Sequence, residues 1–278
     1  MAQSVFILGA SADIGRALAV MYADAGAQVV GTYRSRDGVK ELEGRPNVRL
    51  LPCDVGARAS IDEMLAAYGR LAPEPWDLFI SAIGTMEPIG SWDSLDFDAW
   101  EQSVTVNSLA QLRVLHGLCR YRRSGLAHAA FFAGGGTNNP FTNYSAYCVS
   151  KIMLIKMCEL IDDEVPDLNA FIIGPGFLPT KIHAQTFANP EGAGENVDKT
   201  KQFFEAPGRV ATYADLYDCI NWCVAGGRDV MGGRNLSAVH DPWKDSGDAL
   251  AAALRRDGNR FKLRRAGNTG PTEGASQQ

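Results

Sequence analysis

The sequence predicts an α/β fold built on a doubly wound parallel sheet of about seven strands, with helices on both faces. Short apolar runs alternate with helical stretches along most of the chain, which is the pattern of a parallel sheet with crossover helices. The strand at 128–133 is apolar at nearly every position, as expected when both faces are buried. The chain has 278 residues, of which 46% are hydrophobic, and this is enough for one large core.

Each element follows from its local sequence. The apolar run at 4–8 leads directly into a glycine-rich turn. The helix expected at 16–25 ends before Gly26, a typical helix-stop residue, and a strand at 28–33 completes a βαβ unit. Further strands are expected at 48–52, 77–82, 128–133, 168–173 and 233–238. Further helices are expected at 58–70, 97–119, 145–163 and 212–225.

Two segments interrupt this alternation, and we expect a single domain over residues 1–265. Residues 181–208 are polar and contain glycines between Pro179 and Pro207, which is typical of a mobile substrate lid. Residues 266–278 are rich in Gly, Ser and Gln, a composition that predicts a disordered tail.

Composition excludes several classes of function. The net charge of -5 gives no bulk attraction to nucleic acid or to an anionic membrane. No apolar run approaches the roughly 18 residues that a membrane span needs. The six cysteines form no C-x-x-C pair and show no metal-ligand spacing with histidine. The start of the chain shows no charged segment and no cleavage site of a signal peptide. We therefore expect a cytoplasmic protein with free thiols and no metal.

The turn after the first strand predicts a dinucleotide site and hence a Rossmann-type sheet. Gly9 permits a tight turn, Gly15 lets the helix pack closely on the sheet, and the helix N-terminus between them offers free N–H groups to a pyrophosphate. Asp13 lies in this turn. It either caps the helix and points away from the ligand, which we favour, or it lies near the phosphates, where its charge is unfavourable.

The end of the second strand favours NADP(H) over NAD(H). An acidic residue at this point binds the ribose of NAD, but the first acid here is Asp37. Arg34 and Arg36 are placed to pair with a 2′-phosphate, and Ser35 can hydrogen-bond to it. The alternative is that both arginines are ordinary surface charges.

Tyr147 and Lys151 form a candidate acid–base pair. Four residues apart on a helix, they share one face. An ammonium beside a phenol stabilises the phenolate and lowers the tyrosine pKa, which makes a tyrosine useful for proton transfer near neutral pH. The spacing alone is common in helices, so the other motifs decide its meaning.

Taken in order, the motifs resemble the short-chain dehydrogenase/reductase family, in its shorter single-domain branch, over residues 4–240. The matching residues are the Gly9-x-x-x-Asp13-Ile14-Gly15 turn, Asp54 with Val55, the partly kept turn at 80–84, Asn107, Tyr147 with Lys151, and the Pro175-Gly176-x-x-x-Thr180 segment. Their common order along the chain is much more specific than any single motif. The usual glycine of the first motif is replaced by Asp13.

The resemblance implies a role for each of these residues. Tyr147 exchanges a proton with the substrate oxygen, Lys151 lowers the tyrosine pKa and holds the nicotinamide ribose, and Asn107 supports the proton relay. The cofactor site implied by the resemblance consists of Gly9, Ser11, Asp13, Ile14, Gly15, Arg34, Asp54, Val55, Ala82, Tyr147, Lys151, Pro175, Gly176 and Thr180. The family also implies a homodimer or homotetramer formed through the helices at 97–119 and 145–163.

One departure from the family concerns the reacting group. The catalytic serine of the family falls at Gly134, and the chain has no serine between Ser124 and Ser145. Loss of such a donor costs about 10² to 10³ in rate when nothing replaces it. Thr137 is our candidate for the replacement, with Asn138, backbone groups or water as alternatives.

These residues predict an NADP(H)-dependent oxidoreductase that interconverts a secondary alcohol and a ketone on a polar, possibly sugar-derived small molecule. One alternative is a dinucleotide-binding sensor or scaffold without turnover, and another is an epimerase or dehydratase with transient hydride transfer. Aromatic and polar residues are candidates for the lid and the substrate rim: Met86, Glu87, Trp92, His183, Gln185, Phe187 and Trp243. The alternative for each of them is a packing or surface role.

Overall fold

The core of the protein is a parallel β-sheet. The structure, a computed structural model, describes residues 3–71, 73–206, 208 and 210–265. The strands of the sheet are β1 (Ser4–Leu8), β2 (Gln28–Tyr33), β3 (Val48–Pro52), β4 (Leu78–Ser81), β5 (Ala127–Phe132), β6 (Leu168–Gly174) and β7 (Asn235–Ser237). They lie in the order β3-β2-β1-β4-β5-β6-β7, and all neighbours are parallel. The predicted doubly wound α/β class is confirmed. The predicted tail at 266–278 lies outside the described residues.

Helices cover both faces of this sheet. They are α1 (Asp13–Asp24), α2 (Arg58–Leu71), α3 (Phe97–Val104), α4 (Ala110–Leu118), α5 (Ser145–Glu164), α6 (His183–Ala188), α7 (Pro190–Ala193), α8 (Asn196–Glu205), α9 (Tyr213–Met231) and α10 (Gly247–Arg256). Leu18 of α1, Leu216 of α9 and Leu250 of α10 belong to one buried cluster. Ile61 of α2, Val114 of α4 and Leu154 of α5 belong to the cluster on the opposite face.

Three regions differ from the expected pattern. The helix expected at 97–119 is divided by a π-helical turn at Thr105–Leu109, a rare feature that often marks functional sites. The segment 181–208, expected as a mobile substrate lid, contains α6, α7 and α8. Helix α10 was not predicted, and its apolar face packs against α9.

The crossover of the chain at the centre of the sheet places the functional site. Strands β1 and β4 are neighbours, although β2, β3 and their helices lie between them in the sequence. Parallel sheets bind ligands at the carboxyl ends of their strands, at the point where the strand order reverses. Among the helices that the structure describes, none has the length and apolar character needed to cross a membrane.

Candidate active site

An open cavity of about 1480 Å³ lies at the carboxyl ends of the strands. It brings together residues that the motifs had placed far apart in the sequence. The predicted site residues on its wall are Gly9, Ser11, Asp13, Ile14, Arg34, Asp54, Val55, Ala82, Thr137, Tyr147, Lys151, Pro175, Gly176 and Thr180. Gly15 and Asn107, also predicted, are not on this wall, and the structure places them behind it.

The glycine-rich turn has the backbone conformation needed to bind a phosphate group. Gly9 has a φ of 87°, a conformation that favours glycine, and its N–H donates to Thr32 Oγ1 at 2.9 Å. A Cβ added at Gly15 would lie 2.9 Å from the Gly9 carbonyl carbon and closer still to its oxygen. The first turn of α1 therefore packs directly on the strand end. Its amides lack intrahelical partners, so this end of the cavity fits a pyrophosphate.

The preferred interpretation of Asp13 as a helix cap is wrong. Asp13 is the first residue of α1, which begins after Ala12 without a side-chain cap bond. Its Oδ2 instead accepts the backbone N–H of Lys181 at 2.7 Å, and Arg16 lies 3.9 Å from its Oδ1. The carboxylate thus fastens the glycine-rich turn to the segment after Thr180. This contact joins residues 168 positions apart, which is why a local pattern did not predict it.

The two arginines after β2 lie in different environments. Arg34 lies on the wall of the large cavity, near the end that also holds Asp54 and Val55. Arg36 lines a separate surface hollow, where its Nε donates to the Tyr33 hydroxyl at 3.4 Å. Of the two arginines, only Arg34 is thus placed to meet a ligand in the large cavity.

Tyr147 occupies the space above Gly134. The tyrosine is 7% exposed, and a Cβ added at Gly134 would lie 2.5 Å from Tyr147 Cε1 and closer still to its hydroxyl oxygen. The phenol thus stands where a serine side chain at position 134 would begin. Glycine at this position is required by the placement of the tyrosine that the structure shows.

Lys151 lies over the face of the Tyr147 ring. Its Nζ is 5.6 Å from the ring centroid and donates to the Phe132 carbonyl at 3.0 Å. Burial lowers the pKa of Lys151 to about 8 and raises the pKa of Tyr147 well above its usual value. Desolvation of the phenol is the largest cause of the raised tyrosine pKa. The lowering of this pKa by Lys151 that the resemblance implies stays a prediction.

Asn107 lies in the π-helical turn and is fully buried. Its Oδ1 accepts the Thr85 amide at 2.9 Å, and its Nδ2 donates to the Thr85 carbonyl at 2.9 Å. Its own carbonyl accepts a hydrogen bond from Gln111 Nε2 at 2.8 Å. Asn107 thus fixes the loop after β4. Thr85 and Gln111 were missed in the sequence because nothing in their local pattern distinguishes them from ordinary polar residues.

Four of the proposed substrate-rim residues line the cavity and three do not. Met86, Glu87, His183 and Gln185 lie on its wall. Trp243 is instead a core residue whose Nε1 donates to the Ala238 carbonyl at 3.0 Å. Trp243 is therefore a packing residue, which was the alternative for each of these residues. Trp92 and Phe187 are exposed and are not on the cavity wall, but Phe187 lies on α6 of the predicted lid.

His183 lines the cavity, but its side chain is engaged in contacts within the protein. Its Nε2 lies 2.8 Å from the Leu178 carbonyl, and its ring stacks on Phe177 with centroids 4.2 Å apart. Burial lowers its pKa. Within the residues that the structure describes, no three His, Cys, Asp or Glu side chains are grouped to hold a metal ion.

The fold and this cavity define a nucleotide-binding α/β protein, and comparison with known proteins identifies its family. The family model described as short chain dehydrogenase matches residues 3–191, and the chain therefore belongs to the short-chain dehydrogenase/reductase family of oxidoreductases. The predicted resemblance is confirmed at this level.

Individual relatives are distant. The chain is 25% identical over 234 residues to 11-beta-hydroxysteroid dehydrogenase-like 3 of Arabidopsis thaliana, covering 78% of this chain and 74% of the relative. It is 26% identical over 196 residues to the NADPH-dependent pterin aldehyde reductase of the same plant, covering 68% and 80%. The crystal structure of a short-chain dehydrogenase/reductase from Saccharomyces cerevisiae superposes with a TM-score of 0.77 at 19% identity, covering 90% of this chain and 98% of that one.

Proposed function

We propose that the protein is an NADP(H)-dependent oxidoreductase that interconverts a secondary alcohol and a ketone on a polar small molecule, with Tyr147 as the acid and base. The observation that carries the proposal is that one cavity is lined by Tyr147, Lys151, the glycine-rich turn and Arg34. A nicotinamide cofactor, when bound, supplies the hydride chemistry. The residues of the chain hold that cofactor and move the proton.

The state of Tyr147 supports proton donation to a carbonyl. Burial raises its pKa, so the phenol keeps its proton at neutral pH and is ready to donate it. Thr137 lies on the same wall and is our proposed replacement for the serine that the family has at Gly134. Asn107 contributes by holding Thr85, and Lys151 contributes an ammonium below about pH 8.

Two observations support NADP(H) as the preferred cofactor. Arg34 lies on the cavity wall at the end of β2, where a guanidinium can form a charge-assisted pair with a 2′-phosphate. The pterin aldehyde reductase among the relatives is NADPH-dependent.

Replacing Arg34 by alanine is expected to weaken NADPH binding by about tenfold to a hundredfold, since a hydrogen bond to a charged group contributes about 1.5–3 kcal/mol. The affinity for NADH should change little. Fluorescence titration of each nucleotide measures both constants. Arg36→Ala is the matched control, because Arg36 lines a different hollow. An equal loss for NADPH and NADH in Arg34→Ala would show that Arg34 does not read the 2′-phosphate.

The substrate end of the cavity supports a polar, hydroxylated substrate, for which a sugar derivative is our proposal. Glu87, Asn138 and Asn139 line it beside Met86 and Phe141, so hydrogen-bonding groups adjoin an apolar surface. The names of the relatives add a pterin aldehyde and a steroid as substrate classes to compare.

The direct test is turnover of NADPH with a panel that contains keto sugars, a pterin aldehyde and a steroid ketone. We expect NADPH oxidation with a keto sugar, with the secondary alcohol as product, measured by absorbance and mass spectrometry. Tight NADPH binding without turnover of any carbonyl compound would favour the sensor or scaffold. An isomerised or dehydrated product without net consumption of NADPH would favour the epimerase or dehydratase.

The lid and the oligomer are further parts of the proposal. Residues 181–206, here called the lid segment, contribute Lys181, Ile182, His183 and Gln185 to the cavity wall, which supports a role in covering the substrate.

Leu109, Val149 and Leu160 are exposed apolar residues in the regions through which a homodimer or homotetramer was predicted. The oligomeric state stays a prediction.

A further inference from the structure

One side chain of the lid segment holds the loop that follows β4. Gln185 lies on α6, and its Oε1 accepts the Met86 amide at 2.7 Å. Its Nε2 donates to the Thr85 hydroxyl at 3.0 Å. Both ends of the Gln185 amide are therefore engaged with adjacent residues of one loop. A paired contact of this kind fixes the orientation of the loop as well as its distance from α6.

The same loop is held from its other side by Asn107. The two hydrogen bonds of the Asn107 amide engage the N–H and the carbonyl of Thr85. Thr85 thus lies between two side-chain amides that come from elements far apart in sequence. Its neighbour Gly84 lies near Lys151 of the proposed catalytic pair, because a Cβ added there would lie 3.9 Å from Lys151 Nζ. A displacement of this loop therefore reaches the residues proposed for catalysis.

Other contacts hold the lid segment without engaging Thr85. Asn189 Nδ2 donates to the Ile89 carbonyl at 3.0 Å, and the Thr186 hydroxyl is 2.9 Å from that of Tyr144. Among the hydrogen bonds of the described residues, that of Gln185 Nε2 joins α6 to Thr85. Met86 is bonded both by Gln185 Oε1 and, through its sulfur, by the Thr186 hydroxyl at 3.7 Å. Gln185 is therefore the side chain of α6 that can pass a movement of this helix to Thr85 and so to Asn107.

We infer that Gln185 is a positioning residue that makes the seating of α6 and the placement of Thr85 beside Asn107 interdependent. Its catalytic consequence rests on the proposed function, whereas its structural consequence does not. When α6 leaves the cavity, Thr85 and Met86 lose the hydrogen bonds to Gln185, and Asn107 then holds Thr85 from outside the loop. A substrate that favours the seated helix then also favours the ordered loop.

Hydrogen exchange of the full-length protein tests the structural part with Gln185→Met and Thr85→Val. Each variant is expected to raise amide exchange about tenfold at residues 84–86 and 183–189, because each removes part of one small network. The double variant should show no more than the larger single effect, since both changes break the same link. Gln185→Glu should keep most of the protection, because its carboxylate accepts from both Met86 N–H and the Thr85 hydroxyl. The matched control is Gln202→Met on the exposed side of α8.

Kinetics separate this inference from the proposed function. With the substrate found for the wild type, Gln185→Met is expected to lower kcat several-fold and raise KM several-fold, with Gln185→Glu restoring most of both. Unchanged exchange at 84–86 in Gln185→Met, or effects of the two single variants that multiply, would overturn the inference. If the wild type shows no turnover but Gln185→Met still raises amide exchange at residues 84–86, the link between α6 and Thr85 is supported. The proposed reaction is then rejected instead.

Discussion

Replacing Tyr147 by phenylalanine is expected to lower the rate of carbonyl reduction by about 10² to 10⁴, the usual contribution of a positioned acid or base. The change removes one hydroxyl and keeps the ring that fills the space above Gly134. Because the phenol is protonated at neutral pH in the buried site, its loss removes the proposed proton donor. Steady-state NADPH oxidation measures the rate, and fluorescence titration should show NADPH affinity within a few-fold of the wild type.

Tyr144→Phe is the matched control for this variant. Tyr144 lies three positions earlier and is also buried, but it is not on the cavity wall, and its hydroxyl lies 2.9 Å from that of Thr186. We expect it to lose some stability and at most a few-fold in turnover. Full turnover in Tyr147→Phe, or an equal loss in both variants, would show that Tyr147 is not the acid. The comparison also tests whether motif order assigned the correct tyrosine.

The sheet was predictable from the sequence because its strands carry their own signal. A strand buried on both faces must be apolar along its length, and the runs at 4–8 and 128–133 are. The turn between β1 and α1 was equally predictable, because the positive φ at position 9 and the close packing at position 15 both favour glycine. The order of the motifs then brought most of the predicted cofactor-binding residues to the wall of one cavity, since parallel strands end at one edge of the sheet.

The parts that were not predictable depend on contacts between distant residues. Asp13 reads locally as a helix cap, but its partner is the amide of Lys181. Gln185 reads as a rim residue, but its amide is engaged by Thr85 and Met86. The π-helical turn at Thr105–Leu109 has the same cause, since the local apolar pattern fits one continuous helix. In each case the local sequence is equally compatible with more than one structure, and tertiary packing determines which of them forms.

Replacing Gly134 by serine, which restores the residue type of the family, is expected to lower the reduction rate by about a hundredfold instead of raising it. The Cβ of any residue at 134 would overlap the Tyr147 ring and hydroxyl in the placement that the structure shows. The phenol must then move, and a displacement of about 1 Å can cost about 10²-fold in rate. Overpacking of this kind also costs about 1–3 kcal/mol of stability, measurable as a lower midpoint of urea unfolding.

Two neighbouring variants separate the steric effect from the chemistry of the added hydroxyl. Gly134→Ala adds the same Cβ without a hydroxyl and should lose as much activity as Gly134→Ser. Gly135→Ala is the matched control, because a Cβ there would lie at an ordinary 3.4 Å from Phe141 Cδ1. If the site merely lacks a donor, Gly134→Ser should instead gain up to about 10² to 10³ in rate while Gly134→Ala gains nothing. That gain would mean that Tyr147 can leave the space above Gly134 at little cost in free energy. The glycine would then lower the activity of the enzyme and would not be required by the site.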